Sequence, residues 1–214
     1  TILKIIAGLI LPTKGELRIF GEKQIYLRLD QNNPPDVRLV FQNPALLGSL
    51  TIAENVGFLL KRNKNLSKKL IHEIVCECLA EVGLFNIENK LPNELSGGMQ
   101  KRVSFARALI TDHTLNAKTK PLLLFDEPTA GLDPIASSRI EDLINKTNDK
   151  ASGSSIVVSH VLSTIERTSD KVLMLYGGKF RWAGSIDEFK KSKDPYVFQF
   201  RHGKLDGPMQ PKDI

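Results

Sequence analysis

One apolar run, ended by two acidic residues, constrains the fold of this 214-residue chain more than any other feature. Residues 122–125 read Leu-Leu-Leu-Phe, and Asp126 and Glu127 follow directly. A continuous apolar run of this length is typical of a strand that is buried on both faces of a parallel sheet. Because ligands of open α/β sheets bind outside the carboxyl ends of the strands, the two carboxylates are predicted to lie at a binding edge.

Two further predicted strands end in polar residues. Residues 37–41 form an apolar strand that stops before Gln42. Residues 156–158 form another, predicted to be buried on both faces like residues 122–125, that stops close to His160. If these strands flank the central one, an amide, two carboxylates and an imidazole share one edge of the sheet. Taken singly, a surface amide and a strand-end histidine are the more ordinary interpretations of Gln42 and His160.

The remaining patterns predict helices between strands, which is the alternation of an α/β fold with a parallel sheet. The predicted elements are a buried helix over residues 2–11 stopped by Pro12, a strand over 16–20, a capped helix from Thr51 to Leu60, helices over 70–82, 96–110, 134–147 and 161–168, and a hairpin of 171–176 with 179–182.

Composition excludes several classes of protein. With 41% apolar and 25% charged residues the chain has the balance of a globular protein. Its longest nearly apolar stretch, residues 5–11, is far shorter than the roughly 18 residues that a membrane-spanning helix needs. The net charge of +6 suits a nucleic acid, an anionic membrane or a polyphosphate, and charge alone does not choose among them.

Two glycines follow a serine at the predicted start of the 96–110 helix. Ser96 can cap this helix, and Gly97 and Gly98 leave bare backbone N–H groups at its positive end, which favours an anion such as phosphate. An ordinary flexible helix start is the alternative. In a phosphate-hydrolysing site, Asp126 would hold Mg²⁺ and Glu127 would orient or deprotonate the attacking water, whereas solvated strand-end acids are the plainer interpretation.

In their order and spacing, these motifs resemble those of the ATP-binding-cassette (ABC) ATPases. Gln42 resembles the Q-loop, residues 95–100 the signature motif, residues 122–128 the Walker B motif, residues 130–133 the D-loop and His160 the H-loop. The resemblance implies an α/β fold of the P-loop NTPase type, with a mostly parallel sheet flanked by helices and an inserted helical subdomain. It assigns residues 1–45 and 116–190 to the core, residues 46–115 to the helical subdomain and residues 191–214 to a tail of one ATPase domain.

The resemblance also implies the site residues. Glu127, His160 and Gln42 would be catalytic, and Asp126 with Gln42 would bind Mg²⁺. The nucleotide-binding residues would be Thr1, Ser96, Gly97, Gly98, Gln100 and Asp133. In ABC proteins the signature motif binds ATP held by a second copy, so a head-to-tail, ATP-dependent dimer is expected.

The sequence departs from the family at its start. It contains no Gly-rich phosphate loop with its lysine, and residues 1–9 resemble the stretch that directly follows that loop. The chain is therefore predicted to be a fragment of a complete ATPase and to be inactive alone.

Several strings resemble the Mla-type lipid-transport ATPases, and within them the chloroplast and cyanobacterial branch that serves trigalactosyldiacylglycerol lipid trafficking. They are residues 44–51, 54–58, 111–120 and 194–208. The implied partners are a membrane permease, contacted by residues 43–60, and an MCE-domain lipid-binding protein, with no nucleic acid. The implied location is peripheral, on the cytoplasmic face of the plasma membrane or the stromal face of the chloroplast inner envelope.

Two other functions stay open at this point. A soluble ABC ATPase of DNA repair or translation would suit the positive charge, although the 53 residues between Gln42 and Ser96 leave no room for the long coiled coil of repair types. A non-hydrolysing module is the literal interpretation of a chain without a phosphate loop.

Overall fold

The computed structural model describes residues 1–25, 27–28, 34–62, 65–110, 121–151 and 154–210. The chain forms two compact units, residues 1–158 and residues 159–214. The polar residues 111–120, which the sequence analysis singled out, lie outside the described residues.

The chain opens with helix α1 (Ile2–Ile6), which is shorter than the predicted helix over residues 2–11. Gly8 adopts a left-handed conformation with φ +69°, so the helix ends well before Pro12. The predicted strand over 16–20 is β1 (Leu17–Ile19), and it pairs antiparallel with β2 (Glu22–Gln24). The sequence analysis missed β2 because its residues are all polar.

A three-stranded parallel sheet forms the centre of the first unit. Strands β3 (Val37–Val40), β4 (Leu122–Asp126) and β5 (Ser154–Val158) lie in that order. Leu123, Leu124 and Phe125 are buried, which confirms the prediction for β4.

The prediction that β5 is buried like β4 is wrong. Ile156 is 36% exposed and Val158 is 40% exposed. Alternate residues of β5, namely Ser154, Ile156 and Val158, are exposed, so one face of this strand is left uncovered.

In its described part, the insertion between the neighbouring strands β3 and β4 contains three helices. They are α2 (Ile52–Val56), α3 (Lys68–Glu81) and α4 (Gly97–Leu109), with short 3₁₀ turns at Leu60–Arg62 and Pro92–Glu94. The capping box at Thr51 and Glu54 is confirmed, but α2 ends at Gly57 and does not continue to Leu60.

The first unit is completed by α5 (Pro134–Ala151), which connects β4 to β5. The second unit contains α6 (Leu162–Thr168), the predicted hairpin of β6 (Lys171–Tyr176) and β7 (Lys179–Ser185), α7 (Ile186–Lys191) and α8 (Pro195–His202). The end of the chain folds back on α8, where the buried Gln199 side chain bonds both the N–H and the carbonyl of Met209. The predicted α/β class, with a parallel sheet flanked by helices, is confirmed.

The main core joins the inserted helices to the sheet. Phe105 of α4 stacks on Phe125 of β4 with ring centroids 5.2 Å apart, and both side chains are almost fully buried. In the portion of the chain that the structure describes, no helix has the length and apolar character needed to cross a bilayer.

The stacked pair gives a test of how α4 is held. We expect Phe105→Ala to lower the free energy of unfolding by about 3–5 kcal/mol, because it removes a buried ring and leaves a cavity. The matched control is Phe85→Ala, since Phe85 is 67% exposed and its loss should change stability by less than about 0.5 kcal/mol. Urea unfolding followed by circular dichroism measures both, and equal effects would contradict the packing described here.

Candidate functional site

Gln42, Asp126 and Glu127 lie at one edge of the parallel sheet, and we call these three residues the sheet edge. In the β3–β4 register Val40 lies beside Phe125, so Gln42 and the two acids leave the same end of neighbouring strands. Neighbouring strands are about 4.8 Å apart, so the amide and the carboxylates follow strand ends that lie side by side. Gln42 is exposed and both acids are partly buried, as a site open to a ligand requires.

Glu127 has an unusual backbone. Its φ is +47°, in the left-handed region that residues with a side chain rarely adopt. Two hydrogen bonds hold it there: its N–H donates to the Val158 carbonyl at 2.9 Å, and its carbonyl accepts from the Ala130 N–H at 3.2 Å. A conformation of this kind costs about 1–3 kcal/mol and persists where the surroundings fix it, so the direction of the Glu127 side chain is set by the fold.

Lys101 of α4 reaches this same turn, a contact that the sequence analysis missed. Its Nζ donates a hydrogen bond to the Ala130 carbonyl. Burial lowers the pKa of the Lys101 ammonium below its usual value, and the nearby charge of Glu127 acts in the opposite direction. Lys101 lies one helical turn after Gly97, and this i, i+4 spacing is the signal that could have pointed to it.

Ser96, Gly97 and Gly98 begin α4 as predicted, and we call these three residues the signature face. The Ser96 hydroxyl accepts the Met99 N–H at 3.3 Å and caps the helix. A Cβ added at Gly97 would meet no atom within 4 Å, and one at Gly98 would meet only Leu132 at 3.9 Å. Packing inside the chain therefore does not require these glycines, and their bare N–H groups are open to a group from outside.

The signature face and the start of α5 share a cavity of about 570 Å³. Asp133 lies in this cavity, where its Oδ1 accepts the N–H groups of Ile135 at 2.9 Å and Ala136 at 3.0 Å. These backbone bonds, that from Ala136 foremost, lower the pKa of Asp133. The structure thus brings Asp133 to the signature face and shows that it also caps α5.

Two arginines line the same cavity, and the sequence analysis named neither. Arg102 donates to the carbonyls of Val82 and Gly83, at the end of α3. Burial lowers the pKa of the Arg102 guanidinium, and the like charge of Arg139 lowers it further. Two cations beside open N–H groups at a helix start form a site that suits a phosphate.

The remaining predicted site residues are Gln100, Thr1 and His160. The Gln100 amide donates to the carbonyls of Pro92 at 2.9 Å and Leu95 at 3.2 Å and braces the turn before α4. Thr1 precedes α1, and its side chain makes no capping hydrogen bond. His160 is exposed and belongs to the second unit, between β5 and α6.

The donor set at the sheet edge fits magnesium. Mg²⁺ prefers carboxylate and other hard oxygen ligands and keeps several waters, so one carboxylate and one amide oxygen suffice on the protein side. No group of three or more His, Cys, Asp or Glu side chains suited to a metal occurs among the described residues.

Comparison with known proteins identifies the family. Residues 1–130 match the ABC transporter family. The chain is 50% identical to the chloroplastic protein TRIGALACTOSYLDIACYLGLYCEROL 3 of Arabidopsis thaliana, over 98% of this chain and 64% of that protein. It is 34% identical to the intermembrane phospholipid transport system ATP-binding protein MlaF of Haemophilus influenzae, over 98% of this chain and 78% of that protein.

A solved structure shares the fold. The ATP-binding cassette MJ0796, solved as a dimer in a post-hydrolysis state bound to ADP and Pi, superposes with a TM-score of 0.71 at 28% identity. The match covers 86% of this chain and 79% of that chain. The resemblance predicted from the motifs is thereby confirmed, and the chain belongs to the ABC transporter family.

Proposed function

We propose that this chain is the ATP-binding and ATP-hydrolysing subunit of an ABC transporter that moves lipid through a partner permease. The observation that carries the proposal is that the first unit combines two groups. It has acids at the sheet edge, and it has a helix start with two glycines that internal packing does not require. Acids that activate water and N–H groups that bind phosphate are the two kinds of group that phosphoryl transfer needs.

The sheet edge would perform the hydrolytic chemistry. Bound ATP would supply the bond to be broken, and a bound Mg²⁺ would neutralise part of the phosphate charge. Asp126 and the amide oxygen of Gln42 would hold the metal. Glu127 would accept a proton from water, with its backbone fixed by Val158 and Ala130. His160 would donate a hydrogen bond to the terminal phosphate, and Thr1 would lie near the α-phosphate.

Glu127→Gln tests the role of the general base. In the full-length protein we expect kcat for ATP hydrolysis to fall by at least about 100-fold, because the amide cannot accept the proton of water. The affinity for ATP should change little, since the binding groups remain. Glu77→Gln, on the exposed side of α3, is the matched control and should hydrolyse ATP normally. Undiminished hydrolysis in the Glu127 variant would remove this residue from the mechanism.

The signature face would bind the terminal phosphate held by a second copy. Helix α4 carries about half a positive charge at its start, and Ser96, Gly97 and Gly98 present their N–H groups there. Asp133 lies in the same cavity and would contact the second copy. Gln100 would support this face by bracing the turn before the helix.

Gly97→Ala tests whether Gly97 is needed to bind the second copy's phosphate or only for the folding of its own chain. A Cβ at this position has free space inside the chain, so thermal stability should stay the same or rise slightly. The added methyl group should obstruct the second copy's phosphate and weaken ATP-dependent dimerisation at least about 10-fold, equivalent to about 1.4 kcal/mol.

Glu77→Ala is the control, because Glu77 is exposed on α3 and belongs neither to the signature face nor to the residues that follow Gln42. Light scattering with ATP and Mg²⁺, in a Glu127→Gln background of the full-length protein, measures dimerisation. Equal dimerisation of the two alanine variants would contradict the proposed role of Gly97.

The names of two relatives support a lipid as the transported substrate, since one belongs to a phospholipid transport system and the other is named after trigalactosyldiacylglycerol. A groove of about 990 Å³ in the first unit supports a permease contact. Leu47 and Phe58 line it, and each is about half exposed.

The chain spans 64% of the length of the Arabidopsis relative, so the remaining assignments concern the whole protein. An MCE-domain lipid-binding protein would be a further partner. The subunit would be peripheral, on the cytoplasmic face of the plasma membrane or the stromal face of the chloroplast inner envelope. The chain alone would be inactive, because its sequence contains no Gly-rich phosphate loop.

A further inference from the structure

Arg107, near the end of α4, joins this helix to the residues that follow Gln42. Its Nη1 donates to the Ala45 carbonyl at 2.8 Å and its Nη2 to the Pro44 carbonyl at 2.9 Å. A planar guanidinium can bind two successive carbonyls in this way, whereas a lysine ammonium is a single point of donation.

The Arg107 guanidinium is partly buried in this contact. Burial lowers its pKa, although an arginine stays charged in a protein. Among the described residues no carboxylate forms a salt bridge with it. The carbonyls of Pro44 and Ala45 therefore compensate the partly buried charge of Arg107, and the contact depends on where these two carbonyls lie.

The segment that Arg107 holds, residues 43–51, is also fixed at its other end. The side chain of Asn55, only 1% exposed, accepts the Leu47 N–H at 2.7 Å and donates to the carbonyls of Leu47 and Leu50. Ala45 has φ +49°, a left-handed conformation that needs such support. Segment 43–51 is thus anchored to α4 on one side and to α2 on the other.

The same helix contacts the turn of residues 127–130 and begins with the signature face. Gly97 and Arg107 are ten residues apart, about 15 Å along the axis at ~1.5 Å per residue. Between them Lys101 bonds the Ala130 carbonyl beside Glu127. A continuous helix of 13 residues moves as one body, so a displacement at either end reaches the other.

We propose that Arg107 is a positioning residue that couples segment 43–51 to the signature face through α4. The inference rests on the proposed function, because it assumes that the signature face closes on a second copy with ATP. Without the two hydrogen bonds from the Arg107 guanidinium, segment 43–51 would lose this link to α4, while the signature face would still form.

A spin label on segment 43–51 tests the coupling with a readout that does not depend on hydrolysis. The protein is the full-length Glu127→Gln variant with Cys76→Ser and Cys78→Ser, labelled at an introduced Ser49→Cys, since Ser49 is exposed. Light scattering reports dimerisation with ATP and Mg²⁺, and the label's spectrum reports segment mobility in the same samples.

We expect ATP to change the label's mobility in the protein with Arg107, and Arg107→Gln to abolish that change while dimerisation persists. Arg107→Lys should restore the change only in part, and it serves as the second variant if Arg107→Gln does not fold. Arg18→Gln, which removes an exposed arginine of β1, should leave the change intact.

Two results would overturn the inference: an ATP-dependent change that persists in full in Arg107→Gln and Arg107→Lys, or a dimer that forms with Arg107 present but leaves the label unaffected. Failure of the protein with Arg107 to dimerise at all would instead contradict the proposed function. Thermal unfolding of each variant separates a general loss of stability from the loss of coupling.

Discussion

The parallel pairing of β4 with a strand on each side is the constraint on which the rest of the first unit depends. The side chains of Leu123, Leu124 and Phe125 are buried, and the chain leaves the sheet after Asp126. The bond from the Glu127 N–H to the Val158 carbonyl extends the pairing with β5 by one residue and holds Glu127 in a left-handed conformation. The buried strand thus fixes the position of Glu127, and the turn fixes the direction of its side chain.

Helix α4 organises the second half of the proposed site around this strand. Its Phe105 packs on Phe125, while three of its cations reach carbonyl groups of other segments. Lys101 bonds Ala130, Arg102 bonds the end of α3, and Arg107 bonds segment 43–51. Since carbonyl oxygens are partly negative, each contact satisfies a backbone group and a partly buried charge together. One helix therefore touches the turn after Asp126, presents the signature face and holds the segment proposed to meet the permease.

Local patterns predicted most elements and the sheet edge. The apolar run of β4, the capping box at Thr51 and the Ser96 cap each depend on neighbouring residues, so the sequence shows them directly. That β3 and β4 end at the same edge, where Gln42 and Asp126 follow, could also be predicted, because parallel strands end at a common edge.

Predictions failed or were incomplete where non-local geometry decides. The exposure of β5 depends on which elements cover its faces, and α1 ends before Gly8, whose carbonyl accepts the N–H of Arg28 from 20 positions away. Arg107 reaches Ala45 across 62 positions of sequence, and no pattern of neighbours reveals a contact of a long side chain over such a separation.

The most direct test of the central claim, that the acids of one copy work with the signature face of another, is ATP hydrolysis by mixed dimers of the full-length protein. A dimer of one Glu127→Gln copy and one Gly97→Asp copy would keep one intact composite site, and the account predicts that it hydrolyses ATP although neither variant does so alone. A dimer of one unchanged copy and one copy carrying both substitutions would keep no intact site and should be inactive. The opposite pattern, with an inactive first dimer and an active second, would show that each copy works with its own signature face and would contradict the account.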